Sequence, residues 1–173
     1  MLNKYSVLAL IGLIGLTALT PLASSVKVSQ HSGPYKISFD MLTDEVDMRD
    51  SSPYTGQPYT SYDLVFTAKK WYMDMVITRF HAPQKVDPVV DGRSIARSLG
   101  ISESDIMSCT IDGKSAVYAL KTSDNGYDLS AVYWLDNKNN SSSEKVLIKI
   151  MTDDETRDGI NKTLDTMRIE RIS

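Results

Sequence analysis

The chain has 173 residues, with 19 Lys and Arg against 22 Asp and Glu and a formal charge of −3. That length suits one ordinary domain with a sizeable core. Its longest basic clusters are pairs such as Lys69-Lys70, too few cations to neutralise a phosphate backbone, so no nucleic-acid partner is expected.

The first stretch reads as a leader. Lys4 supplies a positive start, and Val7 to Leu19 is apolar apart from Gly12, Gly15 and Thr17. Pro21 breaks the run, and Ala23-Ser24-Ser25 puts small residues ahead of Val26. This is the layout of a secretory signal peptide. Residues 1–25 are therefore predicted to be removed, leaving residues 26–173 (173 − 25 = 148) as a single extracytoplasmic domain. The apolar run falls short of the roughly 20 residues of a spanning helix, so membrane contact is expected only if the leader is retained. No Cys stands just after the run, so no lipoprotein anchor is expected, and Cys109 is the sole cysteine. Without an internal disulfide, the fold must rest on packing.

Val26 to Gly33 suits an arm or a short edge strand. Tyr35 to Met41 alternates apolar and polar residues, the period of a half-buried strand. Thr43 to Tyr59 reads as a long acidic loop, with Pro53, Gly56 and Pro58 opposing regular structure. Ser61 to Ala68 and Trp71 to Phe80 are predicted strands joined at Lys69-Lys70. In the second, Trp71, Met73, Met75 and Ile77 share one face. Asp87 and Pro88 signal a helix start and Gly100 its end, giving a helix over 88–99 despite Gly92 in its middle.

Ile106 to Ile150 reads as a three-strand antiparallel meander, with Asp112-Gly113 as a type I′ turn and Asp124-Asn125-Gly126 as a second turn. Asp153-Asp154-Glu155 supplies negative charge for a helix start, and Ile160, Leu164 and Met167 recur at helical spacing. Arg168-Ile169-Glu170 suits a short last strand. The expected core is Ile37, Phe39, Val65, Met73, Met75, Ile111, Val117, Ala119, Ala131, Tyr133, Ile148, Ile160 and Leu164.

Reaction chemistry is hard to assemble from these residues. His31 and His81 stand far apart and form no spaced ligand pair, so no metal centre or cofactor is expected. Met73 and Met75 could suggest a thioether site, but their period beside Trp71 and Ile77 is that of core. Cys109 alternates with Met107 and Ile111, which predicts a buried, inert thiol. Asp40, Asp44, Glu45, Asp47 and Asp50 could hold Ca²⁺, yet their spacing is not that of an EF-hand loop. No G-x-S-x-G and no Gly-rich phosphate loop occurs. Tyr54, Tyr59 and Tyr62 lie amid Pro, Gly, Ser and Thr, and tyrosine suits contact with protein or sugar surfaces. Asn139 and Asn140 head overlapping N-glycosylation sequons in a polar run, and Asn161 heads a third inside a predicted helix.

The order of elements carries a family resemblance. A leader, a strand, a long loop and a strand pair precede a helix, the hairpin IDGKSAVYAL, another strand, and VLIKIMTDDETRDGINKTLDTMRI as strand, helix and strand. From Tyr35 to Ile169 this resembles the PsbP-like superfamily of oxygen-evolving-complex accessory proteins and exported prokaryotic relatives. The resemblance implies an antiparallel sheet between helices and a non-enzymatic accessory or docking role. It supplies no functional residue, because no binding motif of the family can be matched here.

The fold expected is α+β, one antiparallel sheet of about six or seven strands with two packed helices, an α/β/α sandwich. The function expected is an exported, non-catalytic binding or accessory module that engages a protein or cell-envelope component through Tyr54, Tyr59 and Tyr62. The alternatives are an extracytoplasmic small-ligand or metal-binding protein, sited on the acidic loop or a sheet-face cavity, and a hydrolase with an unrecognised carboxylate site.

Overall fold

The alternation of apolar and polar side chains is carried into two antiparallel sheets. A computed structural model describes residues 25–123, 126–135, 142–153 and 157–172. Residues 1–24 of the leader, the turn at Asp124-Asn125, the sequons at Asn139 and Asn140, and Asp154-Glu155 of the expected helix start lie outside them. The fold is α+β, with eleven strands and two α-helices among the described residues.

The small sheet has three strands in the order β1 (Val26–Ser32), β2 (Tyr35–Met41), β11 (Arg168–Arg171). The large sheet has eight: β3 (Asp47–Asp50), β5 (Tyr59–Ala68), β6 (Trp71–Phe80), β10 (Ser143–Thr152), β9 (Gly126–Leu135), β8 (Lys114–Ser123) and β7 (Met107–Ile111) in that order, with β4 (Tyr54–Thr55) paired to β5. Eleven strands replace the six or seven expected, and a second sheet stands beside the first. Part of the excess comes from the supposed loop at 43–59. Its prolines limit β3 and β4 to four and two residues, but both still pair with β5 along the sheet edge. The rest comes from β1 and from the supposed three-strand meander, which is four strands, β7 to β10.

The main core lies between the sheets. Ile37, Phe39 and Met41 of β2 meet Leu64, Phe66, Met73, Met75 and Ile148 of the large sheet. Phe39 and Phe66 meet edge to face with centroids 5.0 Å apart. Helix α2 (Arg157–Thr166) shares this side of the large sheet, with Ile160 and Leu164 in the same core. Helix α1 (Pro88–Leu99) lies on the other side, where Ile95, Ala119 and Val132 form a small second core. The helices therefore flank the large sheet, and the small sheet joins α2 in one layer.

Local chemistry fixes α1. The Asp87 carboxylate accepts from Val89 N–H and Val90 N–H at 3.1 and 3.2 Å, Pro88 opens the helix, and Gly100 closes it at φ +66°. Gly92 sits mid-helix because Ile106 packs against it: a Cβ there would lie 3.1 Å from two Ile106 carbons. The Asp112-Gly113 turn has both residues at positive φ (53° and 71°), as a type I′ turn demands.

Two core expectations need correction. Val65 and Val117 are half-buried rather than buried, and Leu64 and Phe66 fill the interior beside Val65. Leu64-Val65-Phe66 is a continuous apolar run, so its periodicity alone leaves open which face turns inward.

Candidate functional site: an aromatic row on the large sheet

Register sets this site. On the face of the large sheet that carries α1, Tyr54 of β4 pairs with Ser61, and Tyr59 of β5 pairs with Phe80 of β6. Tyr59 and Ser61 are two residues apart on one strand and so share a face, which brings Tyr54 beside Tyr59. Beyond Phe80 comes β10, where Phe80 pairs with Ser143 and Trp134 of β9 pairs with Lys145. Ser143 is small, and Phe80 and Trp134 meet across it.

The result is a continuous row of rings. Successive centroids lie 5.8 Å (Tyr54–Tyr59), 6.2 Å (Tyr59–Phe80) and 5.9 Å (Phe80–Trp134) apart. The last pair is stacked and the other two are inclined, arrangements that aromatic quadrupoles favour. Tyr54 is 60% exposed, and Tyr59, Phe80 and Trp134 are half-buried. Helix α1 lies over β8 and β9. On β6 and β10 the same face presents Tyr72 and Met151 to solvent.

The Trp134 end is held by charge. Its Nε1–H donates to Asp91 Oδ2 at 2.7 Å, and Lys145 Nζ stands 3.5 Å from Asp91 Oδ1 and 5.6 Å above the Trp134 ring. Asp91 is buried in the first turn of α1, where the helix dipole favours a carboxylate. The indole is thus fixed by a charge-assisted hydrogen bond and a cation–π contact. A cavity of about 370 Å³ opens next to it, with Val86 and Pro88 beside Asp91 and Trp134 on its walls.

Of the three tyrosines singled out in the sequence, Tyr54 and Tyr59 fall in this row and Tyr62 does not. Tyr62 pairs with Ile77 on the opposite face and meets Tyr35 edge to face at 5.2 Å, packed against the core between the sheets. Phe80 and Trp134 were not among the expected site residues. Their period-2 position was legible, but cross-strand adjacency depends on β10 lying between β6 and β9, which no local pattern announces.

Elsewhere, Thr60 Oγ1 and His81 Nε2 lie 3.0 Å apart where β5 begins and β6 ends, while His31 lies in the small sheet. The acids of the 40–50 stretch disperse: Asp40 pairs with Lys162 at 3.6 Å, and Asp50 accepts from Ser32 Oγ at 2.8 Å. Asp44, Glu45 and Asp47 line an open cleft with Lys69. Among the described residues, no three His, Cys, Asp or Glu side chains converge as a metal site, and no helix is long and apolar enough to cross a membrane. Comparison with known proteins gave no match, whether with family models, curated proteins or solved structures.

Proposed function

We propose that the chain is an exported, non-catalytic binding or accessory module that engages a protein or cell-envelope component through the aromatic row. The observation carrying this reading is the row itself. Four rings in contact, with Tyr54 at 60% exposure and Trp134 held by Asp91, form a preorganised aromatic surface outside both core clusters. Rigid aromatic anchors lose little conformational entropy on binding and dominate interface energetics. Export is supported by the apolar leader of residues 1–25, and the PsbP-like relationship by the order of elements from Tyr35 to Ile169.

The test is capture of host envelope components on the immobilised full chain. The Tyr54→Ala/Tyr59→Ala variant is expected to lose at least about tenfold in captured partner, the cost of truncating two anchors at about 1 kcal/mol or more each. Its Tm should stay within a few degrees of the parent's, since Tyr54 is exposed and half-buried Tyr59 lies outside both core clusters. Undiminished capture by the variant would remove the proposal.

A further inference from the structure

The open edges of the two sheets are not alike. Strands β1, β3 and β11 each end a sheet and each carries charge: Lys27 on β1, Asp47, Arg49 and Asp50 on β3, Arg168, Glu170 and Arg171 on β11. Charged side chains on an edge discourage pairing with another chain. Strand β7 ends the large sheet on its other side with Met107-Ser108-Cys109-Thr110-Ile111, which has no charge, no proline and an unbroken register with β8. Met107, Ser108 and Thr110 are exposed, so nothing among the described residues covers this edge. Cys109 at its centre is half-buried rather than enclosed as the sequence suggested.

Register fixes what the edge offers. The type I′ turn at Asp112-Gly113 closes on Ile111 and Lys114, the hydrogen-bonded pair of a two-residue hairpin. Hydrogen-bonded and non-hydrogen-bonded pairs alternate, so Met107, Cys109 and Ile111 exchange bonds with β8, and the N–H and C=O groups of Ser108 and Thr110 point outward. We infer that β7 pairs antiparallel with β7 of a second copy of this chain, about a two-fold axis at Cys109. The strand is self-complementary in that register. Ser108 and Thr110 of the two copies form the hydrogen-bonded pairs, exposed Met107 stands opposite apolar Ile111, and Cys109 faces Cys109. An axis at Ser108 or at Thr110 would set the other residue opposite Ile106 or Asp112, outside the strand. Such an isologous contact joins the two large sheets into one. The aromatic row lies on β4, β5, β6 and β9, so this inference is independent of it.

Two measurements on the full chain test the pairing. Sedimentation velocity should show a concentration-dependent dimer. Thr110→Pro removes an outward N–H that β8 does not use, and should weaken dimerisation at least about tenfold while leaving the far-ultraviolet circular dichroism unchanged. Disulfide trapping reads the register in the unsubstituted protein. A non-hydrogen-bonded antiparallel pair sets its Cα atoms about 4.5 Å apart, inside the roughly 4.4–6.8 Å that a disulfide spans. With copper–phenanthroline as oxidant, the facing Cys109 thiols should give up two protons and two electrons to it and link the copies covalently. Burial, and then the Asp165 carboxylate, push that thiol up, so the added oxidant forms the bond and the bond reports the pairing rather than causing it. Thr110→Cys in a Cys109→Ser background should stay unlinked, because Thr110 faces Ser108 of the second copy. A monomer at every concentration, a dimer that Thr110→Pro leaves as tight, a dimer without the Cys109 link, or a link at position 110 formed as readily would overturn the inference; if Thr110→Pro unfolds the chain, the trapping comparison decides alone.

Discussion

Asp112 shows how much one side chain can hold. It is the single non-glycine residue at positive φ among the described residues, and its Oδ2 accepts from Ile169 N–H at 3.3 Å and Lys114 Nζ at 3.2 Å. The β7–β8 turn of the large sheet is thereby fastened to β11 of the small one. Asp112→Ala removes both acceptor contacts and places a Cβ-only residue in the left-handed region, so a loss of about 2–4 kcal/mol in denaturant unfolding is expected. Asp112→Asn, which tolerates that backbone, should lose less. The turn was legible because Asp-Gly has a local conformational reason to be there. The tie to Ile169, 57 residues on, had no local signal. The same division separates Tyr54 and Tyr59 from Tyr62: composition drew attention to all three, and only register decided which face each took.

Among the elements, α1 was readable to its caps because Asp87, Pro88 and Gly100 act on their own neighbours. Strand β10 was not readable in the same way. Its continuous VLIKI pattern announces a strand with two partners, but not that β6 and β9 are those partners. That placement creates the uncovered face on which the aromatic row lies. It also sets Asp74 of β6 opposite Lys149 of β10. Burial, opposed by Lys149 and reinforced by Asp63, raises the Asp74 carboxyl above its ordinary range. A carboxyl whose folded pKa is raised binds its proton more tightly when folded, so the fold loses stability as pH climbs through that window and does not regain it at neutrality. Asp74→Asn is therefore expected to raise Tm at pH 7 and to leave it nearly unchanged at pH 3. A lower Tm at pH 7 would show that the Lys149 pairing outweighs burial.

The whole molecule is two sheets clamped over one core, and polar groups are buried in the seam. Glu144 is buried, with Arg79 Nε at 3.8 Å and Arg171 Nη1 of the small sheet at 3.4 Å from its Oε1. Tyr35 lies beside it, and burial, followed by the Glu144 carboxylate, pushes the Tyr35 phenol far up; burial does the same to Tyr133 near Asp112. Both phenols stay protonated in the fold while the unfolded chain ionises near pH 10. Their stabilising contribution is thus complete below about pH 10 and lost as pH rises beyond it. Unfolding free energy should fall steeply above pH 10, and Tyr35→Phe should make that fall shallower without altering the profile below pH 9. The clamp leaves part of the α1 side of the large sheet open, and there the aromatic row ends in exposed Tyr54, the proposed point of partner contact. Placing a photoreactive benzoylphenylalanine at Tyr54, and in parallel at His31 on the small sheet, tests that claim in the native host. A discrete crosslinked product is expected from position 54 and none from position 31; a product from 31 with none from 54 would contradict partner binding through the aromatic row.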